Sequence, residues 1–468
     1  VERTSTASTK VGLGLIAIVF AISAYRAATQ SFTTDEALTF LRFISPRWID
    51  TWQDYDANNH ILHGLLARLF AKALGKSELV LRLPALLGGG AYLAGAWILA
   101  RRVFRSGPLF LAALGLMVLN PLVLDHLASC RGYALAMAGW IWGLLLLWDY
   151  LESGAVSRMH AGAVVLALGV CANLAFLFPV ASMAVVFAAV VVARKGRGGL
   201  VELADRFAVP AAMVGFIVLL LPMQSAGPSN FYYGAKLLDG AVGELAEMSL
   251  FRHQLGDLGL AKYVLPVMRG LCAFAMVAAV WSAVRALRRK LGGPADAFLV
   301  LGGGTAALAA LAIVAAHYAA GMPYPENRTA LYWIPLLSVM SIAAVQEAQW
   351  KPLTVIALVA TALCVGRYAT QVRLDSFGEW PDDAGMKKLA AVLKREGGTA
   401  PVRVCAVHAR AITLGYYRVR LSMPQWTIRE VEKVDAACEW SIVPAGEVEA
   451  RSAVYRDGRI ALIRGGTR

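Results

Sequence analysis

Charge is scarce in this sequence. Asp, Glu, Lys and Arg make up 16% of its 468 residues while 58% are hydrophobic, against roughly a quarter charged in a soluble domain. That balance excludes an ordinary soluble protein and requires lipid as part of the solvent. Charge is scarcer still inside the apolar runs, where a secondary transporter would carry ionisable groups near the bilayer midplane. Internal repeats and low-complexity tracts are also missing, and with them the repeated halves common in transporters. The net charge of +14 would suggest nucleic acid if the chain were soluble. Here the Lys and Arg residues fall in short clusters between apolar runs, so no nucleic-acid partner is expected and the clusters signal orientation.

Runs of roughly twenty apolar residues, each long enough to cross about 30 Å of hydrocarbon as helix, recur over residues 11–369 and then stop. The first, 11–28, is expected to stay as a span and not to be cleaved as a signal peptide. Anionic inner-leaflet lipid favours placing the basic clusters in the cytoplasm: Arg3/Lys10, Arg101/Arg102/Arg105, Arg158, Arg194/Lys195/Arg197/Arg206, Arg285/Arg288/Arg289/Lys290 and Lys351. The apolar stretch 61–74 is short and carries His63, Arg68 and Lys72, so it is laid on the membrane surface. A crossing there would turn the Arg101 cluster outward. Spans follow over 79–100, 108–124, 133–150, a hairpin within 161–193 broken near Asn173 and Pro179, 207–224, 263–284, 298–320, 331–345 and 353–368. That makes about eleven spans, with the N-terminus cytoplasmic and the C-terminus outside.

From residue 371 the composition becomes that of a soluble domain. A helix is expected over 383–395, with Met386, Leu389, Ala390 and Leu393 at helical spacing. Strands are expected over 402–407 and 440–443, and Asp457-Gly458 between Val454 and Leu462 is a hairpin signal. The fold class is therefore a polytopic α-helical membrane protein, residues 1–370, with a small extracytoplasmic α/β domain over 371–468. In a bacterium the membrane would be the inner one.

The most informative stretch is the first outer loop, 30–78. Asp35-Glu36 follows the first span closely, with Thr34 as a plausible helix N-cap. An acid pair at a helix start is common, but this one lies at the rim of an apolar bundle, where an acid can serve as general base. The pattern of Asp35-Glu36, then Asn59-His60 opening a surface helix, then Ser77-Glu78-Leu-Val-Leu-Arg82-Leu-Pro84 opening the second span, resembles the GT-C glycosyltransferases. It is similar in particular to bacterial relatives of protein O-mannosyltransferases and aminoarabinose transferases, over the first 150 residues or so.

The resemblance implies a polyprenyl-phosphate-linked sugar donor, a glycan, lipid or protein acceptor, and Asp35 as the catalytic acid/base residue, with Glu36 beside it. It leaves room for a divalent cation, magnesium or manganese, between Asp35 and the substrate. A phosphate leaving group calls for Arg. Arg131 and Tyr133 match the family's Arg-x-Tyr, and Arg328 near Tyr324 matches its late-loop Arg; the plainer reading of both is an interfacial anchor. Asn59 and His60 are expected to touch substrate. Arg82 is expected either to do so or to hold the first loop. The sequence departs from its relatives in having Ser129 and Cys130 where many carry a second acid, the nearest being Asp125.

His60 and His63 have a spacing that can bind metal with Asp54 or Asp56, although substrate contact is the expectation at His60. Tyr232, Tyr233 and Lys236 are candidates for a sugar pocket. Cys405 and Cys438 share the outer domain, and buried thiols are expected there in preference to a disulfide. Two alternatives share the hydropathy: an O-antigen polymerase or ligase, whose key residues would lie in the long outer segment 225–262, and a secondary transporter.

Overall fold

The computed structural model of the chain describes residues 2–47, 55–227, 230–231, 233–251, 259, 261–293, 295–432, 438–448 and 452–465. Asp54 and Tyr232 therefore lie outside the described residues.

The helices are, in chain order, α1 (Glu2–Thr29), α2 (Thr34–Thr39, running into a π turn, Phe40–Ile44), α3 (Ile61–Leu74), α4 (Glu78–Phe104), α5 (Pro108–Val118), α6 (Pro121–Ala128), α7 (Tyr133–Ser153) and α8 (Val156–Ala172). Then come α9 (Leu177–Leu203), α10 (Val209–Gln224), α11 (Leu238–Leu250), α12 (Ala261–Arg288), α13 (Asp296–Ala320), α14 (Trp333–Ala348), α15 (Lys351–Gln371), α16 (Met386–Gly397) and α17 (His408–Arg420). Every apolar run expected to cross is helical. Seven helices among the described residues are long and apolar enough to span a membrane, or eight if α5 and α6, bent by 57°, form one span. The difference from the expected number has two sources. Helices α8 and α14 fall short of full span length, and residues 174–224 form one helical stretch of 51 residues. At 1.5 Å per residue that stretch would measure about 77 Å, far beyond the hydrocarbon thickness. It turns back where Gly196 leaves helical geometry, at φ 58° and ψ −136°.

The basic clusters gather at one end of the bundle. Arg102 pairs with Asp149 and, at 2.5 Å, with Glu152; Lys195 donates to the Tyr150 hydroxyl; Arg289 pairs with Glu347 at 2.5 Å; Gln346 reaches the Val103 carbonyl. These ties join the ends of α4, α7, α9, α12 and α14. At the opposite end lie the start of α4, the link from α6 to α7, Asn173 and residues 324–330. Both ends of α3 belong there too: His60 bonds to Gly132, and Lys76 and Glu78 bond to Tyr416 and Arg420. Helix α3 therefore does not cross the bundle, and it packs along α4.

Close helix approach is obtained with glycine. A Cβ on Gly139 of α7 would stand 2.7 Å from the Gly169 Cα of α8, so the two backbones touch there. At Gly132, just before α7, a Cβ would fall 1.8 Å from the Ala172 carbonyl oxygen and 2.9 Å from His60 Nδ1.

The C-terminal region carries a five-stranded sheet, ordered β2-β1-β3-β5-β4, made of β1 (Val402–Ala406), β2 (Trp426–Glu430), β3 (Trp440–Pro444), β4 (Ala453–Arg456) and β5 (Ile460–Arg464). Strand β1 pairs in parallel with β2 and β3, and β5 runs antiparallel to β3 and β4. The β4–β5 hairpin turns at Asp457-Gly458 as expected. Helix α16 buries the four apolar positions named from its spacing but starts at Met386, after a 3-10 turn at Pro381–Asp383. Helix α17 and strand β2 were not anticipated. Cys405 and Cys438 are joined as a disulfide, correcting the expectation of separate thiols: β1–β3 pairing brings their Cα atoms to 5.9 Å, within disulfide reach.

This region is continuous with the first loop. Phe32, Ala37, Phe40, Ala67 and Leu81 are buried in one cluster with Met386, Leu414, Tyr416 and Trp440. Phe32 stacks on Tyr416 with ring centroids 4.1 Å apart.

Candidate active site

Residues 30–36 have little in their own composition to hold them in place. Arg82, one turn into α4, does so. Its five N–H groups are all used. Nε and Nη2 donate to Glu36 at 2.8 and 2.6 Å, Nη1 donates to the carbonyls of Ala27 and Gln30, and Nη2 donates also to that of Ser31. The guanidinium lies 5.2 Å from the ring centres of Phe32 and Phe377. No donor is left for a substrate, so of the two roles expected of Arg82 the structural one is realised.

Glu36 is equally occupied and has no exposure. It forms a capping box with Thr33, which is the N-cap of α2 in place of Thr34, and its Oε1 also accepts from the Cys130 backbone N–H. Its carboxylate is sealed between α2, α4 and the link to α7, which corrects the expectation of a second catalytic acid beside Asp35.

Asp35 precedes Glu36 by one residue and, at about 100° per residue of helix, points elsewhere. Its Oδ2 makes no hydrogen bond and is faced by Arg328 Nη2 at 3.0 Å and Arg131 Nη2 at 3.9 Å. Its side chain retains 19% exposure. Arg131 is positioned by Thr39 Oγ1 at 3.0 Å and by the carbonyl and side-chain oxygens of Asn58, and its buried Nε has no hydrogen-bond partner. Arg328 enters from the 3-10 turn Asn327–Ala330. It reaches Glu379 Oε1 at 3.4 Å and lies over the rings of Tyr233 and Trp380. Burial works against its charge, but Glu379 and Asp35 outweigh that and hold its pKa well above the ordinary arginine value. Two arginines far apart in sequence thus converge on one carboxylate.

His60 accepts from Gly132 N–H through Nδ1 at 3.1 Å, so its other ring nitrogen carries the proton. Burial and then the charge of Arg131 hold its pKa well below the usual value. The same two causes, in the same order, bring His63 down to about 3. Both rings are therefore neutral. Tyr133 packs against His60 and against His126, with centroids 4.9 and 4.4 Å away.

A cavity of about 520 Å³ opens beside this cluster. Asn59, His60, Tyr133, Asn173, Tyr233 and Thr329 line its polar wall, and Met223, Phe178, Phe231 and Leu174 are among its apolar lining. Asp35, Arg131 and Arg328 do not line the cavity, but Arg328 lies over the ring of Tyr233, which does. Tyr324 is not part of it. It stacks on His317 at 4.2 Å and lines a second, apolar cavity of similar size between α11, α12, α13 and α14, separated from the first at Pro325.

A divalent cation does not fit the residues present. Two guanidiniums already face the Asp35 carboxylate, Asp56 is engaged by Arg42 and by the Asn58 N–H, and Asp125 pairs with Arg26 at 2.5 Å. Among the described residues no three His, Cys, Asp or Glu side chains converge as a metal-binding set.

Sequence reasoning missed Glu379, Trp380, Asn58 and His126. The run Asp375-Ser-Phe-Gly-Glu379-Trp380-Pro-Asp-Asp383 directly after the last apolar helix was the available signal.

No protein-family model matches this sequence, and no curated protein matches it. Among solved structures, the chain is similar to ArnT from Cupriavidus metallidurans in the apo state, with 12% identity, a TM-score of 0.53, and 99% of this chain and 98% of that one covered. The structure of the same protein bound to undecaprenyl phosphate gives 13% identity, a TM-score of 0.48 and 98% coverage of both chains. Arabinosyltransferase EmbB from Mycobacterium smegmatis gives 12% identity and a TM-score of 0.32, over 83% of this chain and 42% of EmbB. The apo comparison shows that this chain shares the fold of ArnT over nearly its whole length.

Proposed function

We propose that this chain, having the GT-C fold, transfers a hexosyl or pentosyl group from a polyprenyl-phosphate donor to a hydroxyl acceptor on a glycan, lipid or protein. The observation that carries this reading is the single carboxylate of Asp35 faced by Arg131 and Arg328 beside a largely apolar cavity at one end of a membrane bundle. Undecaprenyl phosphate, the ligand of ArnT, is of the donor's lipid class. An apolar chain can approach from the bilayer while the phosphate meets the arginines.

In the reaction, Asp35 takes the proton of the acceptor hydroxyl as that oxygen attacks the anomeric carbon. The bond from that carbon to the phosphate oxygen breaks, and the bonding pair leaves with the polyprenyl phosphate. Arg131 and Arg328 offset the growing phosphate charge through their forked N–H groups. One displacement inverts the anomeric configuration. His60 and Tyr133, neutral and uncharged at the cavity wall, orient the sugar, with Asn59 alongside. No step passes through a metal ion. The site end faces away from the cytoplasm, since the basic clusters occupy the opposite end.

The test is transfer of a labelled sugar from its polyprenyl-phosphate carrier by the purified chain. Asp35→Asn should lower the rate by about 10²–10⁴-fold, the span of a positioned general base, in a chain that still folds and elutes as the unaltered one does. Full activity in Asp35→Asn would remove Asp35 from the mechanism.

A further inference from the structure

Glu379 lies in the irregular segment that follows α15, and its carboxylate is almost closed off from solvent, with 5% exposure. Oε1 is 3.4 Å from Arg328 Nη1, and Oε2, which makes no hydrogen bond, is 3.5 Å from His126 Nε2. Arg328 is thus divided between two carboxylates, with Asp35 the nearer at 3.0 Å. The formal charges of Asp35 and Glu379 balance those of Arg131 and Arg328. A phosphodiester entering this set adds a negative charge, and the released phosphomonoester carries about −1.5 to −2, so one carboxylate has to yield. Asp35 is fixed in α2 by a capping box and the Glu36–Arg82 ion pair next to it. Glu379 is held by no helix or strand, sits at the longer distance, and has a second nitrogen, that of His126, to turn to.

We propose that Glu379 is a positioning residue acting through Arg328: it stands in for the phosphate when the site is empty, gives way when donor enters, and returns to displace the spent polyprenyl phosphate. This rests on the transferase reading and adds to it a step of product release. Its signature is competition. A merely structural carboxylate would weaken phosphate binding when removed, whereas a competing one strengthens it.

The experiment measures binding of undecaprenyl phosphate to the full-length chain in detergent, with undecaprenol as the uncharged control. Glu379→Gln and, as a second variant, Glu379→Ala should bind undecaprenyl phosphate about tenfold more tightly than the unaltered chain, the factor expected for one charge-assisted contact. Product inhibition should strengthen by the same factor. In an Arg328→Lys background the gain should shrink, because the two residues act on one another. Unchanged or weaker binding in both Glu379 variants, with their elution profiles matching the unaltered chain, overturns the proposal while leaving the transferase reading standing. Should the unaltered chain bind undecaprenyl phosphate no better than undecaprenol, the transferase reading falls with it.

Discussion

Two acid–arginine assemblies lie within one turn of helix and are built on opposite plans. Around Glu36 and Arg82 every donor of the guanidinium is used, both carboxylate oxygens are bonded and neither side chain has any exposure. Around Asp35 the carboxylate keeps an oxygen without a hydrogen bond, Arg131 keeps a buried Nε without one, and Glu379 does the same. A polar network that is complete holds structure, and one that is incomplete in a partly enclosed place is open to a further partner. Adjacent acids in the sequence, indistinguishable by composition, are thereby separated into a fastener and a site.

The sharpest way to break the comparison is to cut the complete network. Arg82→Met leaves the Glu36 carboxylate buried without its counter-charge, an arrangement that costs about 3–5 kcal/mol, and should be seen as a large fall in melting temperature in detergent. Adding Glu36→Leu should restore part of the loss, since an apolar pair can replace a buried ion pair. If Arg82→Met melted like the unaltered chain, the fastening role would be wrong. A smaller effect is expected on the open side. Arg131→Lys keeps the charge but cannot serve Thr39, Asn58 and a phosphate together. Donor KM should rise about tenfold, with melting changed little, and an unaltered KM would place the phosphate elsewhere.

Much of the bundle was legible in the sequence because the bilayer demands long apolar helices and basic residues mark the ends where they turn. Parity of those basic clusters was enough to keep α3 from crossing. Asp35, Arg131 and Arg328 were legible through family resemblance, which does not say that they meet. Their meeting depends on chain segments hundreds of residues apart, as does the role of Glu379, which follows the last apolar helix and has no local mark of function. Helix α17 was hidden because it starts with no side-chain cap and carries Gly415 and β-branched residues in its interior. The disulfide was hidden because only the parallel pairing of β1 and β3 makes neighbours of two cysteines separated by 33 positions. Arg82 was ambiguous because an interface arginine and a buried clamp look the same until the carbonyls around it are known.

The mildest test concerns Asp383, which joins the C-terminal region to the start of α2. Its Oδ2 accepts from Thr34 N–H at 2.6 Å, and its Oδ1 from the hydroxyls of Thr34 and Thr413 at 2.9 and 3.2 Å. Burial pushes its pKa up to about 7, the bonds from Thr34 and Thr413 oppose this, and the nearby charge of Asp35 adds to it. A carboxyl whose folded pKa is raised binds its proton more tightly in the folded chain than in the unfolded one. Below about pH 4 both forms are protonated and the group costs nothing. As pH rises from about 4 to about 7 the unfolded chain gives up the proton first, so stability falls through that window and then levels off. Asp383→Asn removes the titration but keeps an acceptor for Thr34 N–H and a donor for the two hydroxyls. Melting curves of the two proteins should coincide near pH 4 and separate by pH 7, with the Asn variant higher. The link to Asp35 adds a second readout: with Asp35→Asn in place, the pH at which the gap stops widening should move down and the final gap should shrink, because one of the charges that holds the proton on Asp383 is gone. Curves that stay parallel across the whole range would mean that Asp383 is ionised in the folded chain throughout and that its three donors, and not burial, set its state.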